Sequence, residues 1–279
     1  MKVDRGHGDH WGIFGEPEEL LPEILPQLVE KGEPAGAGHI SVSVENTPKQ
    51  MRDMLGIRLD ENELSSTAII ASCLDLNKNF VVSVFPCCYN GLAYEVTVDK
   101  VEKWKSGFEA AVEVSREDGE RLSFFAIDYY ANSQLYKKGN KIRICISAFA
   151  YDAEILPEEE REFSFDEQET IEFLAKMGEE PEYDEDGKMK PLMFGMDDLV
   201  ALLPRDKDFM DDAEFQSPIQ SVEETSFLGM PLYKIGILVK RDPDMEIPLY
   251  VSQNCFEHKP EVGDPIRGVL WLQGCIEQN

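Results

Sequence analysis

The sequence predicts an α+β fold that is rich in β-structure, and three observations predict it. Residues 101–151 resemble residues 222–271 in the order and spacing of their landmarks, so one β-unit is expected twice. Both stretches alternate short β-branched and aromatic runs with Gly, Pro and Asp, which is typical of antiparallel strands joined by turns. A chain of 279 residues with 42% hydrophobic residues is long enough for about two packed domains.

The repeat is supported by distances between matched residues. The separation is 121 positions for Val101 and Val222, 122 for Gly107 and Gly229, 125 for Arg116 and Arg241, and 124 for both Gly139 with Gly263 and Ile142 with Ile266. These separations differ by at most four positions, a difference that insertions or deletions in turns can explain. We therefore divide the chain into an N-terminal α+β part (1–89), a first β-unit (90–152), an acidic helical connector (153–214) and a second β-unit (215–279).

Two helices are predicted in the N-terminal part. Apolar residues four positions apart predict a helix from Glu16 to Gly32, which Pro22 and Pro26 should kink or split. Capping signals predict a second helix over Thr47 to Gly56.

Strands are expected around that second helix. One is predicted over residues 40–44, and residues 68–74 and 80–85 are expected to form a hairpin around Asn77, Lys78 and Asn79. The alternative for the hairpin region is a helix that begins near Asp60 and runs through Leu74.

Each β-unit is expected to contain four or five strands. In the first unit, the predicted strands are 93–104, 108–114, 122–127 and 142–150, with a polar span over 131–140. In the second unit, they are 216–225, 232–239, 247–251 and 269–272.

Four or five strands in about sixty residues, with a polar connection before the last long strand, resemble the OB-fold. The resemblance covers residues 91–152 and 215–277 and concerns the architecture, without a family-specific motif. It implies two tandem OB-like antiparallel β-barrels, a fold that often binds oligonucleotides or oligosaccharides.

The connector is predicted to hold two helices and an acidic loop. Ser164 to Glu167 form a capping-box pattern before a helix that should end at Met177, and a short helix is expected over Met196 to Leu203. Between them, residues 182–187 open like a calcium loop, but Lys190 and Met193 occupy positions that require ligands. We therefore expect a solvated acidic loop.

The charge of −28 is concentrated in this connector. The four segments carry −7, −1, −16 and −4 in chain order. An anionic surface attracts cationic partners and repels polyanions, so a basic protein is the expected partner and nucleic acid is not.

The sequence contains no run of eighteen apolar residues and no apolar signal core after Met1, so we expect a cytoplasmic protein without a membrane segment. Six cysteines without a CxxC pair are expected to be reduced, with Cys87 and Cys88 buried.

Two groups of residues are candidate sites. His7, Asp9 and His10 could bind a divalent metal in a tight turn, the alternative being a solvated terminus. In the first β-unit, aromatic and basic side chains could form a face for single-stranded nucleic acid, the alternative being that the aromatic residues face the core. The residues of that candidate face are Phe125, Tyr129, Tyr136, Lys138 and Arg143.

The sequence contains no nucleophile elbow and no phosphate-binding loop. We therefore expect a non-enzymatic binding or scaffold protein without a cofactor. Single-strand binding through the first β-unit and a metal-dependent enzyme at the N-terminal cluster are the alternatives, and the oligomeric state is left open.

Overall fold

A computed structural model describes residues 6–42, 50–73, 78–206 and 209–277. Within these ranges the fold is rich in β-structure, with a large sheet of mixed direction and a smaller antiparallel sheet. The helices are α1 (Gly8–Gly12), α2 (Pro17–Lys31), α3 (Tyr129–Asn132) and α4 (Glu167–Met177). The strands are β1 (Glu33–Val42), β2 (Gln50–Glu61), β3 (Leu64–Cys73), β4 (Lys78–Cys87), β5 (Leu92–Lys103), β6 (Ala110–Ser115), β7 (Arg121–Ala126), β8 (Lys141–Ile155), β9 (Glu162–Ser164), β10 (Met193–Gly195), β11 (Ala201–Asp206), β12 (Phe209–Phe227), β13 (Met230–Lys240), β14 (Met245–Ser252) and β15 (Pro265–Ile276).

The small sheet has the order β1-β2-β3-β4, with every neighbouring pair antiparallel. The predicted hairpin is therefore present as β3 and β4, and its residues 74–77 lie outside the described residues. The predicted strand over 40–44 corresponds to the end of β1, and its residues 43 and 44 also lie outside them.

The large sheet contains two closed circuits of paired strands. In the first circuit β5 pairs with β6, β6 with β7, β7 with β15, β15 with β8, and β8 with β5. In the second, β12 pairs with β13, β13 with β14, β14 with β8, β8 with β15, and β15 with β12. The long antiparallel pair β8–β15 belongs to both circuits, so the strands of the two predicted β-units lie in one sheet.

The pair β8–β15 separates two hydrophobic cores because successive side chains of a strand point to opposite faces. Ile146 and Leu272 lie in the core within the large sheet. Trp271 and Cys275 lie in the second core, which α1, α2 and the small sheet cover. The N-terminal segment, which carries α1 and α2, therefore packs on the face of β15 that carries Trp271.

Helix α2 is a single helix, so Pro22 and Pro26, which were expected to kink or split it, do not split it. Its buried face contains Ile24 and Leu28, as the four-residue spacing predicts. Pro22 and Pro26 lie on the exposed face. The carbonyl groups that lose a hydrogen-bond donor there can be hydrated, so the helix continues through both prolines.

The predicted helix over Thr47 to Gly56 is wrong where the structure describes it. Residues 47–49 lie outside the described residues, whereas residues 50–56 belong to β2, which pairs with β1 and β3 on its two sides. Gly56 does not end a helix. It lies under the ring of Tyr130, and a Cβ at this position would be 1.8 Å from the Tyr130 hydroxyl oxygen.

The connector contains one of its two predicted helices. Helix α4 ends at Met177 as predicted, and Gly178 follows with a positive φ of 76°. Its capping box lies two residues later than predicted and joins Asp166 to Glu169. The predicted helix over 196–203 is wrong because Ala201–Asp206 is strand β11, which pairs with β12.

In the described part of the chain, no helix is both long and apolar enough to cross a membrane.

Candidate functional site

The two N-terminal histidines lie in a buried cluster. His7 precedes α1 and His10 lies within it, three positions later, so the two side chains share one face of this short helix. Each residue is 7% exposed. Their Nδ1 atoms are 2.8 Å apart, which places a hydrogen bond between the rings, and one imidazole donates while the other accepts.

Glu109 holds His7 from the large sheet. This carboxylate is 4% exposed and lies directly before β6. Its Oε1 atom is 2.8 Å from His7 Nε2 and accepts a hydrogen bond from Ser83 Oγ at 2.6 Å. Its Oε2 atom accepts one from Ser106 Oγ at 3.1 Å. The buried carboxylate therefore has three polar neighbours, as a buried charge requires.

Aromatic rings enclose the two imidazoles. Trp104 stacks beside His7 with ring centroids 5.0 Å apart, and Trp271 stacks on His10 at 3.6 Å with an angle of 3° between the planes. The indole nitrogen of Trp271 donates to Asp211 Oδ2 at 3.1 Å. These contacts fix the orientation of both rings.

The cluster forms one wall of a cavity of about 480 Å³. The cavity is lined by Gly6, His7, Val82, Ser83, Val84, Trp104, Lys105, Ser106, Phe108 and Glu109. Beside this cavity, Glu109, His7 and His10 form a chain of two hydrogen bonds. Because both serine hydroxyls donate to Glu109, the arrangement differs from a serine nucleophile that donates to a histidine base.

The structure brings His7 and His10 together but leaves Asp9 exposed on the outer side of α1. Among the residues described, no group of three or more His, Cys, Asp or Glu side chains is arranged to hold a metal ion. Glu109, rather than Asp9, is the carboxylate in contact with His7. It was missed because it is 102 positions from His7, and no local pattern links the two.

The candidate nucleic-acid face does not form as an aromatic surface. Phe125, Tyr129 and Tyr136 are 0–2% exposed, so their rings cannot stack on bases in this conformation. Phe125 lies against the His7 ring in the core, and the Tyr136 hydroxyl donates to Asp128 at 2.6 Å. This is the alternative in which the aromatic residues face the interior.

The two basic residues of that face are at the surface. Lys138 is exposed, and the Nε atom of Arg143 is 2.5 Å from a Glu277 carboxylate oxygen. A cation that is already paired with a carboxylate is a poor site for a phosphate.

Cys87 and Cys88 are free and buried, as predicted. Burial raises the pKa of both thiols. The Cys87 sulfur is 3.1 Å from Thr67 Oγ1, and the Cys88 thiol donates to the Tyr250 hydroxyl at 3.6 Å.

A groove of about 710 Å³ lies where the connector meets β12, β15 and β8, and we call it the acidic groove. Its carboxylates belong to Asp152, Glu154 and Glu214, and its basic residue is Arg267. Arg267 is paired with Glu154 at 2.7 Å and also with Glu160, so its positive charge is already neutralised. The acidic groove therefore carries a net negative charge.

Apolar side chains also reach the acidic groove. Leu199 is 38% exposed and Leu203 is 60% exposed, and the buried Phe215 also lines the groove. Residues 158–198, which precede Leu199 in the chain, contain sixteen carboxylates against four basic residues, and all sixteen acidic residues are exposed. The site combines apolar contact surface with negative charge.

A comparison with models of known protein families found no match, and a comparison with curated proteins found none either.

Proposed function

We propose that this protein is a non-enzymatic binding protein that holds a basic segment of another protein in the acidic groove. The observation that carries the proposal is the position of exposed leucines and carboxylates in one groove. Apolar contacts supply affinity, while the charge accelerates encounter and selects a cationic partner.

The partner is expected to carry Lys or Arg residues interleaved with large apolar residues. Glu214 and Asp152 are exposed at the acidic groove, so cations can approach them. Leu203 offers a surface for an aliphatic side chain. A polyanion such as nucleic acid would meet the same carboxylates with repulsion.

We also propose that the two β-units descend from one OB-like module. Strands β5 to β8 and β12 to β15 follow in the same order, and each unit pairs its first strand with its last. Ala148 lies opposite Leu272, and these positions are 124 residues apart, the same separation as Gly139 and Gly263. Each five-stranded circuit matches the strand number of an OB-fold, although each also takes one long strand from the other unit.

The binding proposal is tested with a fluorescent peptide of alternating Lys and Leu and a second peptide with Glu in place of Lys. Anisotropy titrations should show binding of the Lys peptide only, and this binding should weaken as salt rises. A labelled single-stranded oligonucleotide in about 50 mM salt serves as the polyanion probe. Equal binding of both peptides, or tight binding of the oligonucleotide, would contradict the proposal.

The location is tested with Glu214→Lys. An exposed ion pair contributes about 0.2–1 kcal/mol, and charge reversal replaces this attraction by a repulsion of similar size, so the cost should be about 0.4–2 kcal/mol, or roughly a 2- to 30-fold weaker Kd. Glu23→Lys on the exposed face of α2 makes the same charge change away from the acidic groove and is the matched control. Equal effects of the two substitutions would show that the acidic groove is not the binding site.

A further inference from the structure

The central strand pair carries two cysteines that face each other. Strands β8 and β15 are antiparallel, and Cys145 lies directly opposite Cys275 in their register. Opposite residues of an antiparallel pair have Cα atoms about 4.5–5.5 Å apart, which lies within the range that a disulfide spans. The backbone therefore already has the spacing that a cross-strand disulfide needs.

The two thiols differ in accessibility. Cys275 is 1% exposed, and its sulfur lies 3.8 Å from the carbonyl oxygen of Tyr89. Cys145 is partly exposed near the end of the strand pair, where Arg143 forms an ion pair with Glu277. An oxidant from solvent would therefore reach Cys145 first.

The two thiols also differ in acidity. A hydrogen bond with Cys275 lowers the pKa of Cys145 and outweighs burial and the Glu277 charge, which raise it. The same contact, together with burial, raises the pKa of Cys275. Cys145 is therefore the thiol that ionises more readily, and the thiolate is the reactive form of cysteine.

We propose that Cys145 and Cys275 form a reversible oxidation site, at which a hydroperoxide converts the two facing thiols into a disulfide across β8 and β15. The Cys145 thiolate attacks a peroxide oxygen, so that an S–O bond forms, the O–O bond breaks and the leaving hydroxide takes a proton to become water. The Cys275 thiol then attacks the sulfenic sulfur of Cys145 and loses its proton in the same step. An S–S bond forms, the S–O bond breaks, and the second oxygen leaves as water with the proton that Cys275 releases. Two thiols lose two electrons, and hydrogen peroxide is reduced to two waters.

Cys255 provides an internal comparison. It is also partly exposed, but burial raises the pKa of its thiol and no other cysteine contributes to the shift. A Cys255→Ala variant is thus a matched control for Cys145→Ala. Cys87 and Cys88 are buried and unreactive by the same criterion.

The disulfide would tie together the two strands that both circuits share. It would close a loop of well over one hundred residues, and a cross-link of that length restricts the unfolded chain strongly. We expect the oxidised protein to have a Tm higher by about 5 °C, an effect that a dithiol reductant should reverse.

The test treats the full chain with hydrogen peroxide near pH 7, blocks the remaining thiols and maps the peptides without reduction. A linked peptide that joins residues 145 and 275 is expected, and it should form at least about tenfold faster than Cys255 is oxidised. Cys145→Ala should abolish this peptide and leave Cys275 reduced, while Cys255→Ala should leave its yield unchanged.

Three results would overturn the proposal: Cys145 oxidised to the sulfinic acid without a cross-link, Cys145 joined to any other cysteine, or Cys145 oxidised no faster than Cys255. Mapping assigns each bond to its own cysteines, so wild-type protein decides the outcome even if Cys145→Ala does not fold.

Discussion

Replacement of Glu109 by Ala tests whether the N-terminal segment is held by the buried cluster. The substitution removes the acceptor for Ser83 and Ser106 and the partner of His7. A buried donor that loses its acceptor costs about 1–3 kcal/mol. Water in the adjoining cavity of about 480 Å³ can satisfy part of that loss. Three groups lose a hydrogen bond to Glu109, so we expect Glu109→Ala to lower the free energy of unfolding by about 3–5 kcal/mol once cavity water has offset part of the loss.

The matched control for this substitution is Glu113→Ala in β6. Glu113 is partly exposed, and its carboxylate is 4.0 Å from an Arg121 nitrogen whose side chain is largely exposed. A surface pair of this kind contributes under about 1 kcal/mol. The two variants remove the same side chain four positions apart, so the difference between them isolates the buried contacts.

Urea unfolding followed by tryptophan fluorescence is a suitable assay, because all three tryptophans lie buried in the core around this cluster. A double-mutant cycle with His7→Ala should give a coupling of about 1.5–3 kcal/mol, the contribution of a hydrogen bond to a charged group. The contact with Glu109 does not hold the N-terminal segment if Glu109→Ala lowers the free energy of unfolding no more than Glu113→Ala does. The same conclusion follows if the effects of the His7 and Glu109 substitutions are additive.

Two further predictions concern the core. Gly56→Ala should lower the free energy of unfolding in urea by about 1–3 kcal/mol, because the new Cβ would lie 1.8 Å from the Tyr130 hydroxyl oxygen. Gly195→Ala is the control. No atom lies within 4 Å of its Cβ, so its free energy of unfolding should stay within about 0.5 kcal/mol of wild type. Burial raises the pKa of Asp128 above its ordinary value of 3.8, so the folded state binds the proton more tightly than the unfolded state, and this contribution to stability is lost as the pH rises above about 4. Unfolding of wild type and Asp128→Asn from pH 4 to 7 should therefore show the variant gaining stability relative to wild type as the pH rises, and a constant difference would contradict the shift.

Local signals in the sequence determined those elements whose stability depends on neighbouring residues. The apolar spacing of Ile24 and Leu28 identified the buried face of α2, and Gly178 marked the end of α4. Runs of β-branched residues located the strands of both β-units, because each strand buries alternate side chains. The concentration of acidic residues in the connector was also readable directly, since charge depends on composition alone.

Pairing between distant residues was decided only by the tertiary structure. Residues 50–56 belong to the stretch whose capping signals predicted a helix, but they form a strand. The reason is that β1 and β3 provide hydrogen-bond partners for the backbone of β2 on both sides. Phe125 is buried because α1, α2 and the small sheet cover one face of the large sheet, whereas Tyr129 and Tyr136 are buried in the core within the large sheet.

The candidate sites show the same division. His7 and His10 could be singled out from the sequence, but Glu109 reaches them across 102 positions, and the contact between Cys145 and Cys275 depends on the register of two strands far apart in the chain. Composition and periodicity act over a few residues and therefore determined the elements. Contacts between distant residues form only when the whole chain packs, so the tertiary structure alone decided which side chains meet.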